Sequence, residues 1–182
     1  MKHILYSVLF CLICLSALGQ KANSDSIASL DWMIGKWSVE AIEEDSDNST
    51  YKESGFIECK WELKKTVIKC SRYVSRSESK GRYANLAKAH SSIFYMIYNS
   101  DKQQFEQIRI SKNGTRTQLY KKEGLWNLRS KSSFIHPSFG YKMSNNISLK
   151  RINKDLIVLL EDLKNEDGSF TERYESTRRR IE

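Results

Sequence analysis

LDWMIGKWSVE, residues 30–40, is the stretch that decides the fold. Leu30, Trp32, Met33 and Ile34 give a short apolar turn. After Gly35 the pattern changes to alternation at Trp37, Val39 and Ala41, which reads as one helical turn feeding a half-buried strand. A glycine beside a large indole lets the backbone pass close under the ring, and a buried tryptophan anchors a core. The plain alternative is an ordinary core tryptophan at a strand start.

Downstream, the clearest pair of strands is Tyr51–Leu63 and Thr66–Arg76, flanking Lys64 and Lys65. A tight connection there sets the register and places Cys59 opposite Cys70. Directly opposed residues of antiparallel strands have Cα atoms roughly 4.5–5.5 Å apart, inside the disulfide range. A cross-strand disulfide is therefore expected, with two buried free thiols as the alternative. The same register puts Ile57, Cys59, Trp61 and Leu63 on one face, opposite Ile68, Cys70 and Val74. Glu58, Lys60, Glu62 and Lys69 take the other face, as a wall between core and water requires. Arg72 falls on the apolar face. It must either find a buried carboxylate or ligand acid group, or sit at a rim and reach water.

Further strands read over Ser92–Tyr98, Gln104–Ser111, Thr115–Lys121, Leu125–Ser130, Ile147–Ile152, Leu156–Leu163 and Ser169–Arg178, separated by turn residues such as Asn113-Gly114 and Glu123-Gly124. Ser92–Tyr98 is apolar on both faces, with Ile93, Tyr95 and Ile97 on one and Phe94, Met96 and Tyr98 on the other. In Phe105–Arg109, Gln107 and Arg109 share a face with Phe105, so polar groups point inward there. The expectation is an all-β, single antiparallel up-and-down barrel of about 8–10 strands with a short N-terminal helical turn. An open β-sandwich is the rival.

Gly35-Lys36-Trp37, early in the chain and ahead of meandering strands, resembles the G-x-W motif of the lipocalin and fatty-acid-binding (calycin) superfamily. More closely, LDWMIGKW resembles the lipocalin-like domains of unknown function in bacterial secreted proteins. The resemblance implies that Trp37 closes one barrel end under an arginine from near the chain's end. Arg178, Arg179 and Arg180 are the candidates, Arg178 first. A guanidinium over an indole face is favourable. The second lipocalin motif, T-D-Y, is missing, and Val39 and Ala41 stand where haem-binding nitrobindin-like barrels carry glycines.

Met1–Gly19 has one lysine, an apolar run from Ile4 to Leu15 and a small-x-small ending at Ala17 and Gly19, the pattern of a cleaved secretory signal peptide. Cys11 and Cys14 raise a lipid-anchored alternative, disfavoured by the bulky Phe10 and Ile13 before them. Cleavage leaves about 160 residues, one domain's worth. The expected organisation is signal peptide 1–19, lead-in 20–29 and barrel 30–182, in a secreted or periplasmic protein. The net charge of +8 comes from 30 basic against 22 acidic residues. It suits contact with an anionic envelope surface, while export argues against nucleic acid.

No nucleophile motif, phosphate loop or metal-ligand spacing stands out, and an enzyme would have to rest on His90 or His136. No cofactor or metal is expected. The candidate function is binding of a small lipophilic or amphipathic ligand in the barrel, with Trp61, Arg72, Tyr95, Ile97 and Arg109 as ligand-binding candidates and Gly35, Trp37 and Arg178 as structural ones. The alternative is an interaction module with a side-chain-filled barrel and a partner surface around Phe94, Met96 and Tyr98.

Overall fold

The computed structural model describes residues 26–84, 89–112, 114–135 and 142–181. The expected signal peptide, most of the lead-in and His136 lie outside them. After a helical lead-in at residues 26–28 and a 3-10 turn at Asp31–Met33 come ten strands: β1 Gly35–Asp45, β2 Thr50–Glu62, β3 Val67–Ser77, β4 Ala89–Asn99, β5 Gln104–Ser111, β6 Gly114–Lys122, β7 Asn127–Ile135, β8 Lys142–Asn153, β9 Leu156–Asn165 and β10 Phe170–Arg180. Each pairs antiparallel with its sequence neighbour, and β1 pairs with β10, so the sheet closes into a barrel without a free edge.

The inward side chains divide the lumen into two halves. Near the lead-in turn strands β1 to β9 contribute apolar groups, among them Trp37, Ile57, Ile68, Met96, Phe105 and Leu128. With Ile27, Leu30 and Met33 from the lead-in they form one packed core that fills and closes that end. Toward the other end the same strands turn inward Glu53, Arg72, Arg109, Glu161 and Tyr174, which line a cavity. Gly35 takes φ 122°, a backbone conformation that favours glycine, at the step from turn to strand. Gly55, opposite Val74, has no room for a side chain: a Cβ there would lie 2.7 Å from Val74 Cα.

The β2–β3 register pairs Cys59 with Cys70, and the two form a disulfide with Cα atoms 4.1 Å apart. Such bridges are at home in oxidising compartments. Replacing both cysteines by alanine should lower stability by about 2–4 kcal/mol, chiefly by freeing the unfolded chain. Denaturant unfolding measures this, and an unchanged midpoint would show that the bridge contributes nothing. Leu63 departs from the expected inward face. It is 72% exposed, because the connection begins there in a left-handed backbone conformation, φ 45°.

Strands β7 and β8 also differ from expectation in their bounds. β7 starts beyond the exposed Leu125 and Trp126 and runs on through Ile135, while β8 begins five residues before Ile147. Among the described residues the β6–β7 ladder is short, with register pairs only at Lys121–Arg129 and Lys122–Leu128. Gln118 Nε2 donates to Ser130 Oγ across that seam at 2.7 Å. Arg116 lines both the groove over the seam and the lumen cavity.

Candidate functional site

The site is the charged half of the lumen, a cavity of about 210 Å³. Strand alternation places its walls: β2 turns Tyr51 and Glu53 inward, β3 Arg72 and Arg76, β5 Arg109, β9 Leu159 and Glu161, and β10 Tyr174 and Arg178. Glu53, 3% exposed, organises one wall. It accepts from Arg72 Nη2, from Arg76 Nε at 3.0 Å and from the Tyr174 hydroxyl at 3.2 Å. Arg72 also donates to the Tyr174 oxygen at 2.9 Å. Of the two readings of Arg72, the buried one holds, and its partner is a carboxylate of the chain itself. The bonds to Glu53 offset the desolvation cost that burial would otherwise impose on isolated charges.

Across the cavity, Glu161 accepts from Asn145 Nδ2 at 2.6 Å and lies 3.9 Å from Arg116. At the mouth, Tyr51 donates to Glu43, and Arg82 bridges Asp45 and Glu172, the latter at 3.1 Å. Burial, reinforced by neighbouring Glu43, pushes the Glu172 carboxyl up to about 7, and burial also raises Glu43. His90 is held below its ordinary value by burial and by the guanidiniums of Arg72 and Arg76. It is therefore neutral at pH 7.

Arg178 differs from Arg72, Arg76 and Arg116, which have acidic partners. It is 8% exposed, its Nε is buried without a hydrogen-bond partner, and among the described residues it makes no ion pair. Burial lowers its pKa to about 10, which leaves it charged at neutral pH. Arg109 likewise lines the cavity without an ion pair or side-chain hydrogen bond among the described residues.

The sequence-derived candidates thus separate. Arg72 and Arg109 meet in the cavity. Trp61 does not: its indole N–H donates to Asp31 Oδ1 at 3.0 Å, at the closed end. Tyr95 and Ile97 also lie elsewhere, because the β3–β4 register sets Phe94 opposite Cys70 and Met96 opposite Ile68, which turns Phe94 and Met96 inward and Tyr95 and Ile97 outward. The same parity removes Phe94 and Met96 from any outer partner surface. The expected Arg178 cover of Trp37 is corrected as well. β10 sets Arg180, not Arg178, opposite Trp37, and its guanidinium lies 4.2 Å from the ring centroid. Arg178 stands two residues further into the lumen, opposite Val39. Glu53, Arg76, Glu161 and Tyr174 were not among the candidates. For Glu53 and Arg76 a signal existed, since they share parity with Cys59 and Cys70 and face each other in the same register.

Among the described residues no cluster of three or more His, Cys, Asp or Glu side chains is placed to hold a metal. No protein-family model and no curated protein matches the sequence. Solved structures do match by fold. An S-type phycobiliprotein lyase from Guillardia theta superposes with a TM-score of 0.58 at 10% identity, over 84% of this chain and 90% of its own. A de novo designed fluorescence-activating β-barrel gives a TM-score of 0.41 at 13% identity, over 82% and 94%. At such identity the lyase establishes a shared barrel fold and nothing about chemistry.

Proposed function

We propose that the protein binds a small amphipathic ligand in the charged half of its lumen and does not convert it. One observation carries this reading: the barrel is packed solid at the lead-in end, yet leaves about 210 Å³ at the other, walled by charged groups beside Phe94 and Leu159. The lining is mainly charged, with Phe94 and Leu159 as its apolar part, so the occupant it fits carries a polar group on a small apolar body. The size narrows the occupant. A cavity of ~150 Å³ holds one benzene, so this one suits a ring or short chain with a polar end, and a long lipid tail would collide with Phe94, Met96 and Ile68.

Native mass spectrometry of protein purified from its own host tests the reading. The expected result is a small-molecule adduct that leaves on denaturation. Protein that is reproducibly bare, and whose melting temperature no small amphiphile raises, would overturn it.

A second reading, a partner surface, draws on the outer face. Tyr73, Ile93 and Ile110 are each more than a third exposed on neighbouring strands β3, β4 and β5. Cross-linking in the native envelope that returned one dominant protein neighbour, from a barrel without adduct, would favour it.

A further inference from the structure

The lumen holds more positive charge than its own acids neutralise. Its carboxylates are already engaged: Glu53 by Arg72 and Arg76, Glu161 by Asn145 and Arg116, Glu172 by Arg82, and Glu43 by Tyr51. Among the described residues, Arg178 and Arg109 are left without an acidic partner. Arg178 is more than nine-tenths buried, lines the cavity and has an orphaned Nε. Arg72 and Arg109, both cationic, act on it from the same cavity. A further polar group on the inward faces, the Ser92 hydroxyl, is buried without a hydrogen-bond partner among the described residues.

A buried guanidinium lacking a counter-charge is costly, and native proteins pair such groups or set them against a ligand. Guanidinium is also the side chain whose fork matches a carboxylate or phosphate in two parallel bonds. We propose that the cavity is an organic-anion site, in which Arg178 and Arg109 hold the acid group of a molecule about the size of benzoate. Its ring or short chain lies against Phe94 and Leu159. This rests on the small-ligand reading above and adds the charge and the dimensions of the ligand. The fixed pairs around Glu53 and Glu161 keep the other guanidiniums occupied, so the acid group is steered to the two free ones.

The test is thermal unfolding of the mature chain with sodium benzoate, with benzyl alcohol as its neutral counterpart, and with inorganic phosphate, all at one ionic strength. Benzoate should raise the melting temperature saturably, and benzyl alcohol and phosphate should do so far less. In Arg178→Met, benzoate affinity should fall roughly 10- to 100-fold, the loss of charge-assisted hydrogen bonds, while the ligand-free variant melts no lower than wild type. A merely structural arginine would give the reverse, a lower melting temperature with unchanged benzoate binding.

If benzyl alcohol stabilises wild type as well as benzoate does, the anion inference falls and the small-ligand reading stands. If phosphate alone matches benzoate, the organic class falls. If none of the probes binds and no adduct is found on the native protein, both readings fall. Because the comparison among probes uses wild type, it remains decisive even if Arg178→Met fails to fold.

Discussion

Glu53→Gln is expected to destabilise the barrel by about 3–5 kcal/mol, the range found when one partner of a buried ion pair is removed. For a domain of this size that is a fall in melting temperature of roughly 6–20 °C. The size follows from the geometry. The Glu53 side chain is 1% exposed, and its two oxygens carry Arg72, Arg76 and Tyr174. The amide is nearly isosteric, so packing is retained. What changes is that two guanidiniums, 10% and 17% exposed, lose their counter-charge while their desolvation remains. Denaturant unfolding at neutral pH measures the loss. Adding Arg72→Met to Glu53→Gln should recover part of it, since one of the two stranded charges is then gone; coupled neighbours behave in this non-additive way. A loss below about 1 kcal/mol for the single variant, the scale of a solvated pair, would show that water reaches these groups and that the cavity wall is wet.

The disulfide hairpin was legible because β2 and β3 alternate apolar and charged around a short connection, so parity and register could be read together. The limits of that reading are physical. β4 is apolar on both faces, and its sequence alone does not tell Phe94 and Met96 from Tyr95 and Ile97; only pairing with Cys70 and Ile68 on β3 decides. β7 and β8 were foreshortened for a related cause. The missed start of β8 supplies Asn145 to the inward face, and where the lumen is polar, as at Asn145 and at Ser130 on β7, the apolar alternation that marks a strand disappears. The candidate site was half visible. Arg72 and Arg109 stood out as charges on apolar faces. Glu161 and Tyr174 join them only because β9 and β10 close the barrel from the far end of the chain.

Trp37→Ala should cost about 3–5 kcal/mol, the range for emptying a fully packed aromatic position. Trp37 is 1% exposed, its indole N–H donates to the Met33 carbonyl at 3.0 Å, and it joins β1 to the turn that seals the packed end. Above the ring, Arg180 does more than stack. Its Nη1 donates to the Ile34 carbonyl at 2.8 Å and its Nη2 to that of Trp32 at 3.3 Å, tying β10 to the lead-in turn. Arg180→Met should therefore lose about 1–2 kcal/mol, combining a cation–π contact with bonds to carbonyls. Trp37→Phe, which keeps most of the burial, should fall between that variant and Trp37→Ala. Arg178→Met supplies the contrast. It lies on the same strand and face but over Val39, with no bond to lose, so removing its buried charge should leave the ligand-free protein at least as stable. Substitutions at these three positions separate burial, stacking and an unpaired charge along a single strand pair. Should Arg178→Met prove as damaging as Arg180→Met, the assignment of Arg180 to the tryptophan and of Arg178 to the cavity would both be lost.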